Sequence, residues 1–164
     1  MKQKVVIFDL DDTLYDEVDY IEKKKLKPYM GVELTLTKLL DMRCKLGMLT
    51  NGEEKVQMLK LKKLGLNKWF TKENIVTSEA IGSPKPQDGM YRHVMEQYPG
   101  AEFFYVGNNL EKDFVAANAL GWVTICMMDN GRHIHPQDFT MKKEYLPKYR
   151  VRGISEIIKL IEDE

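Results

Sequence analysis

The sequence predicts a three-layer α/β fold in which a doubly wound parallel sheet carries helices on both faces. Short apolar runs typical of strands alternate along the chain with longer stretches of helical periodicity. Such alternation with short connections is typical of parallel sheets with right-handed crossovers. The first run, residues 5–8, is apolar without interruption, which favours a strand buried on both faces.

The predicted strands and helices follow one another in a regular order. Strands are expected at residues 4–8, 45–49, 74–77, 103–106, 122–127 and 149–151. Helices are expected at residues 33–42, 53–64, 89–98, 111–120 and 154–162. Gly65 and Gly121 each follow a predicted helix directly, where a left-handed closing residue is favoured. The charged run at 22–27 predicts a solvated helix end or loop, and residues 129–143 predict a long surface loop.

The composition predicts one domain over residues 1–164 and restricts its partners. Lysine plus arginine equal aspartate plus glutamate at 25 each, so the formal net charge is +0. A neutral chain without a basic stripe indicates neither a nucleic-acid patch nor a membrane surface as partner. Cys44 and Cys126 stand in apolar contexts without metal-ligand spacing, and we expect reduced core residues. No stretch resembles a signal peptide or a membrane span, so the cytoplasm is the expected location.

Two carboxylates follow the first predicted strand. Asp9 and Asp11 lie two positions apart, so in an extended chain they point to the same side. Converging carboxylates repel each other unless a positive charge lies between them, and Mg²⁺ prefers carboxylate and carbonyl oxygens. Open parallel sheets bind ligands at the carboxyl ends of their strands. The pattern therefore predicts a cation site here, and an acidic turn without chemistry is the alternative.

Three further groups are expected at the same edge of the sheet. Thr50 and Asn51 end the second predicted strand, where a hydroxyl and backbone N–H groups can bind phosphate oxygens. Lys85 stands between two prolines, which reduce the backbone entropy lost when the lysine is positioned. Asn108 and Asp113 follow the fourth strand, with Asp113 expected in the first turns of the next helix. Each feature has a plain alternative: a turn, a solvated lysine and a helix-stabilising acid.

These four segments, in this order, resemble the haloacid dehalogenase superfamily, most of whose members are phosphatases. The resemblance covers nearly the whole chain, and residues 9–13 are its most specific part. It implies a Rossmann-like core and a Mg²⁺-dependent hydrolase that acts on a phosphorylated substrate through an aspartyl-phosphate. By this resemblance Asp9 is the nucleophile, Asp11 the general acid and base, and Lys85 the charge-neutralising residue. The implied phosphate-binding residues are Thr50, Asn51 and Lys85, and the implied metal ligands are Asp9, Asp11, Asn108 and Asp113.

Two departures from the family pattern affect the expected function. Relatives with a similar opening usually insert a helical cap between the first two motifs, whereas only residues 14–31 are present here as a residual cap or flap. An open site implies either a large substrate or a homo-oligomer whose neighbouring subunit shields it. A phosphoprotein, a nucleic-acid end, a lipid-linked phosphate and a sugar phosphate all remain candidates.

The second departure lies in the metal motif. The family pattern places an aspartate after the glycine, whereas this chain has Gly107 followed by Asn108. An amide offers an oxygen to Mg²⁺ but brings no charge, so weaker metal binding is expected. The alternative function is a catalytically impaired binding or scaffold protein.

Another class of protein, the phospho-acceptor receiver domain, fits less well. It requires an acceptor aspartate after its third strand, and the corresponding strand here is followed by Ser78 and Glu79. His133 and His135 lack a third ligand and are expected to be exposed rather than metal-binding.

Overall fold

A computed structural model describes residues 1–164 and contains one sheet of six strands. Its strands are β1 (Lys4–Phe8), β2 (Lys45–Thr50), β3 (Ile75–Thr77), β4 (Glu102–Gly107), β5 (Val123–Met127) and β6 (Tyr149–Val151). The strand order is β3-β2-β1-β4-β5-β6, and every neighbouring pair is parallel. This is the doubly wound order, and the predicted fold class is confirmed.

Helices cover both faces of this sheet. They are α1 (Glu17–Ile21), α2 (Val32–Asp41), α3 (Glu54–Leu64), α4 (Ser78–Ile81), α5 (Gly89–Gln97), α6 (Val115–Ala119) and α7 (Ile157–Asp163). Short 3-10 turns lie at Asn67–Trp69, Lys72–Asn74, Lys143–Tyr145 and Ile154–Glu156. The short helices α1 and α4 were not predicted, because neither is long enough to show a helical repeat.

The predicted helix over residues 111–120 is wrong in its first half. Helix α6 begins only at Val115, so Asp113 precedes the helix rather than lying inside it. The reason is local, because the Asp113 carboxylate accepts hydrogen bonds from the backbone N–H groups of Asn108 and Asn109. The chain from Asn108 to Asp113 therefore closes into a turn around this side chain.

Two apolar clusters pack against opposite faces of the sheet. One contains 25 buried residues and includes Val6 and Phe8, and the other contains 15 and includes Val5 and Ile7. Successive residues of β1 thus alternate between two cores, which confirms a strand that is buried on both faces. This strand lies where the order of the sheet reverses, and ligands of doubly wound sheets bind beyond that point.

Cys44 and Cys126 are buried free thiols, as predicted. No helix of the chain combines the length and the apolar character needed to cross a bilayer.

Candidate active site

Asp9 lies directly beyond β1 at the carboxyl edge of the sheet. Its backbone N–H donates to the carbonyl of Val106 at 2.8 Å, which continues the pairing of β1 with β4. Its carboxylate accepts from Lys85 Nζ at 2.9 Å and from Thr13 Oγ1 at 3.2 Å. Burial raises the pKa of Asp9 to about 7, and repulsion from Asp113 acts in the same direction while Lys85 opposes both.

Lys85 is buried between two carboxylates. Its ammonium lies 2.9 Å from Asp9 Oδ1 and 2.9 Å from Asp113 Oδ1. It also donates to the hydroxyl of Tyr105 at 2.8 Å and to the carbonyl of Leu49 at 3.2 Å. Burial alone would lower the pKa of Lys85, but Asp113 and Asp9 outweigh it and hold that pKa above its usual range. The amine is therefore a fixed positive charge beside Asp9.

Asn51 holds the backbone of Lys85 from both sides. Its Oδ1 accepts from the Lys85 N–H at 2.8 Å, and its Nδ2 donates to the Lys85 carbonyl at 3.0 Å. The amide side chain predicted to contribute to phosphate binding is thus engaged in positioning the lysine. Thr50 is fully buried at the end of β2, and its hydroxyl accepts from Gln57 at 2.5 Å.

Asp11 is held by side chains that the sequence analysis did not identify. Lys60 Nζ and the Tyr15 hydroxyl donate to its Oδ1 at 2.9 and 2.5 Å. Gln57 Nε2 donates to its Oδ2 at 3.1 Å and also reaches Thr50, so one amide joins the first two motifs. Gln57 and Lys60 are buried on α3 beside Leu61 and Leu64. The available signal was two polar residues at helical spacing on an otherwise apolar face.

The Asp113 carboxylate packs closely against the backbone of Gly107. Its Oδ2 accepts from the N–H groups of Asn108 and Asn109, each at 2.9 Å. A Cβ atom at Gly107 would lie 2.6 Å from this oxygen. Any larger residue at Gly107 would therefore displace the carboxylate that pairs with Lys85.

Asn108 is the residue on which the fit of a metal depends. Thr13 Oγ1 lies 3.2 Å from both Asn108 Oδ1 and Asp9 Oδ2, and its single hydroxyl proton can be donated to only one of them at a time. Asn108 Nδ2 is buried without a hydrogen-bond partner. A half-turn of the amide would let Nδ2 donate to Thr13 and would leave Oδ1 as the unpartnered atom. Oδ1 is a suitable ligand for a hard cation.

The oxygen atoms available here fit a Mg²⁺ site that has few negatively charged ligands. Nowhere in the chain do three or more His, Cys, Asp or Glu side chains form a group that could hold a metal. A cation here would therefore depend on Asp9 and Asp113 together with amide oxygen, carbonyl oxygen and water. This composition suits Mg²⁺, which usually keeps several waters and takes one or two carboxylates.

One cleft of about 200 Å³ contains most of the predicted site, and none of its lining residues is hydrophobic. Thr50 does not line it. Burial raises the pKa of Glu17, a lining residue, to about 7, with Asp11 adding to the shift and Lys60 opposing it. The lining residues are Asp9, Asp11, Glu17, Asn51, Lys85, Asn108, Asn109, Lys112, Asp113 and His135.

Comparison with known proteins is consistent with this geometry. Two archaeal glyceraldehyde 3-phosphate phosphatases are similar in sequence. The protein from Methanocaldococcus jannaschii is 29% identical over 140 residues, which cover 84% of this chain and 58% of the relative. The protein from Methanopyrus kandleri is 38% identical over 102 residues, which cover 61% of this chain and 43% of the relative. The chain thus spans about half the length of these relatives.

The fold itself has solved counterparts. The crystal structure of a HAD phosphatase from Thermococcus onnurineus superimposes with a TM-score of 0.75 at 21% identity, covering 99% of each chain. The family model described as haloacid dehalogenase-like hydrolase matches residues 18–127. Asp9, Lys85 and Asp113 line one cleft, and the family model matches most of the sequence. The chain therefore belongs to the haloacid dehalogenase-like hydrolases.

Proposed function

We propose that this protein is a Mg²⁺-dependent phosphomonoesterase that works through an aspartyl-phosphate on Asp9. The main support for this proposal is the Asp9 carboxylate at the end of β1, whose Oδ1 lies 2.9 Å from the buried Nζ of Lys85. The naming of two sequence relatives as glyceraldehyde 3-phosphate phosphatases supports the same reaction class.

In the first step a carboxylate oxygen of Asp9 attacks phosphorus, and the bond from phosphorus to the ester oxygen breaks. Asp11 donates a proton to the departing oxygen, which leaves as an alcohol. In the second step Asp11 takes a proton from water as that water attacks the phosphorus of the aspartyl-phosphate. Inorganic phosphate leaves and the Asp9 carboxylate is restored.

Charge repulsion is the main obstacle to the first step, because a carboxylate and a phosphate dianion are both negative. Lys85 offsets this repulsion with a positive charge that is already fixed beside Asp9. The backbone N–H of Asn51 would offer a donor to a phosphoryl oxygen, whereas that of Gly52 already donates to Ser78 Oγ at 2.9 Å. Asp9 and Asp113 would hold Mg²⁺ together with the amide oxygen of Asn108, and the ion, when bound, would neutralise further negative charge.

Hydrolysis of p-nitrophenyl phosphate with and without Mg²⁺ tests this proposal. We expect turnover that requires Mg²⁺ and is abolished in Asp9→Asn, which cannot form the acyl phosphate. The matched control is Asp88→Asn, at a half-exposed aspartate that forms an ion pair with Arg92, and this variant should retain activity. Turnover that survives in Asp9→Asn would contradict the proposed nucleophile.

A second candidate function follows from Asn108, whose buried Nδ2 has no partner. The neutral amide would leave a protein that binds phosphorylated ligands without hydrolysing them. This alternative predicts no turnover on any phosphoester and no effect of Mg²⁺ on thermal stability. Recovery of turnover in Asn108→Asp would then identify the amide as the cause.

A further inference from the structure

The loop after β5 crosses to the catalytic segments and is anchored to two of them. The backbone N–H of Ile134 donates to the buried carboxylate of Asp12 at 2.8 Å. Gln137 Nε2 donates to the carbonyl of Asn108 at 2.8 Å and to that of Met127 at 2.8 Å. The loop is therefore attached to the segment after β1 and to the segment after β4.

A third attachment joins the loop to the flap segment at residues 14–31. Arg132 forms ion pairs with Asp16 at 3.0 Å and with Asp19 at 2.8 Å. Asn130 Nδ2 donates to Asp16 at 3.0 Å, and the Tyr29 hydroxyl donates to the same carboxylate at 2.8 Å. Because the Arg132 side chain is 47% exposed, each ion pair contributes little alone, but together these contacts fix the loop and the flap relative to each other.

His135 lies between these attachments and lines the cleft. It follows Ile134 directly and precedes Gln137 by two positions, so anchored residues stand on both sides of it. Lys112, from the turn around Asp113, lines the same cleft. Lysine and histidine both donate hydrogen bonds, and neither has a role in the steps described above.

The size and lining of the cleft restrict the substrate further. Its volume of about 200 Å³ is smaller than typical ligand pockets, which measure roughly 300–1,000 Å³. None of its lining residues is hydrophobic, and the imidazole of His135 is the only ring among them, so the cleft offers little apolar surface to a nucleobase or an aryl ring. These properties favour a compact and polar leaving group.

We propose that the loop from Asn130 to Gln137 takes the place of a cap, and that His135 and Lys112 bind the leaving group of the substrate. The substrate class is a small phosphomonoester whose alcohol carries further hydroxyl or carboxylate groups. This inference rests on the proposed phosphatase function, and it disfavours the macromolecular phosphoesters that an open site would otherwise admit.

The test compares His135→Ala with His133→Ala on polar and apolar substrates. His133 lies in the same loop but does not line the cleft, so it serves as the control. It is half-buried, so the expectation that it is exposed was wrong, whereas His135 is exposed as expected. Glycerol 1-phosphate, phosphoglycolate and glyceraldehyde 3-phosphate serve as polar substrates, and phenyl phosphate as the apolar one. We expect His135→Ala to lower kcat/KM on the best polar substrate by about tenfold more than on phenyl phosphate, mainly through KM. His133→Ala should lower both alike.

Binding to the Asp9→Asn variant separates this inference from the proposed reaction. Isothermal titration with glycerol 1-phosphate and phenyl phosphate measures the subsite without turnover. Tighter binding of the polar ester, lost on adding His135→Ala, would support the subsite even if the protein proved catalytically inactive. Equal binding of both esters, or equal effects of the two histidine variants, would overturn it.

Discussion

Lys60 Nζ lies 2.9 Å from Asp11 Oδ1, in an ion pair whose side chains are only 6% and 18% exposed. The ammonium also lies 4.3 Å from the centre of the Tyr20 ring, where the face of the ring attracts a cation. The residue proposed as general acid and base is therefore oriented from α3, a helix outside the four sequence motifs. Removal of a partner from a buried pair leaves an uncompensated charge.

We expect Lys60→Met to lower the free energy of unfolding by about 2 kcal/mol, less than a fully buried pair would lose. The loss is moderated because Tyr15 and Gln57 still donate to Asp11. Urea unfolding measures this change in the free energy of unfolding. In a phosphatase assay, Lys60→Met should lower kcat by a larger factor than it changes KM, and Lys60→Arg should restore part of the lost kcat. Lys63→Met, at an exposed position of the same helix, is the control, and an equal loss there would contradict the assignment.

Asn108→Asp should bind Mg²⁺ roughly tenfold more tightly than the natural protein, because carboxylate count tunes the affinity of oxygen-ligand sites. Isothermal titration with Mg²⁺ measures the change directly, without reliance on turnover. Asn109→Asp adds the same charge one residue away and should give a smaller gain. Unchanged or weaker binding in Asn108→Asp would show that residue 108 is not a metal ligand.

Asp12 combines a strained backbone with a buried carboxylate. Its φ is 60°, and its side chain accepts from the N–H groups of Glu17 at 2.9 Å and Ile134 at 2.8 Å. Asp12→Ala should lower the free energy of unfolding by roughly 2–4 kcal/mol, because it removes both acceptors and keeps the strain. Asp12→Gly loses the same acceptors but tolerates this φ, so it should be about 1 kcal/mol less destabilising.

Amide hydrogen exchange extends this test to the loop. The N–H of Ile134 should exchange faster in both Asp12 variants, since it loses its acceptor. Equal stability of the alanine and glycine variants would argue against strain at this position.

The free energy of unfolding of Glu17→Gln should rise, relative to that of the natural protein, as the pH rises. Burial raises the pKa of Glu17 from 4.5 to about 7 in the folded chain, with Asp11 contributing. Stability is therefore lost in the natural protein as the pH rises from about 4.5 through 7, whereas glutamine does not ionise.

The expected difference is about 1 kcal/mol at pH 8, after discounting for solvent screening at a half-buried group. It should vanish near pH 4. Urea unfolding at several pH values measures it, with Glu111→Gln as an exposed control. A difference independent of pH would contradict the raised pKa.

The positions of the motif residues followed from the order of the strands. Asp9, Asn108 and Lys85 line one cleft, as expected from groups at the carboxyl ends of parallel strands. The placement of Asp113 inside a helix was wrong, because the backbone N–H groups of Asn108 and Asn109 bind its carboxylate before the helix starts. Their individual roles in catalysis and metal binding stay predictions that the variants above test.

The sequence by itself determined the parallel sheet, the strand that is buried on both faces, and the edge at which the acids and Lys85 gather. These features depend on local patterns, since apolar runs and their polar ends are visible in neighbouring residues. Only the tertiary structure decided that Lys60 and Gln57 hold Asp11, and that the loop carrying His135 is tied to Asp12 and Asn108. Such contacts join segments distant in sequence, since Lys60 and Asp11 are separated by 49 positions along the chain. Helix packing and loop closure bring them together. The polar pair on the apolar face of α3 is visible in the sequence, but nothing in that spacing identifies Asp11 as its partner.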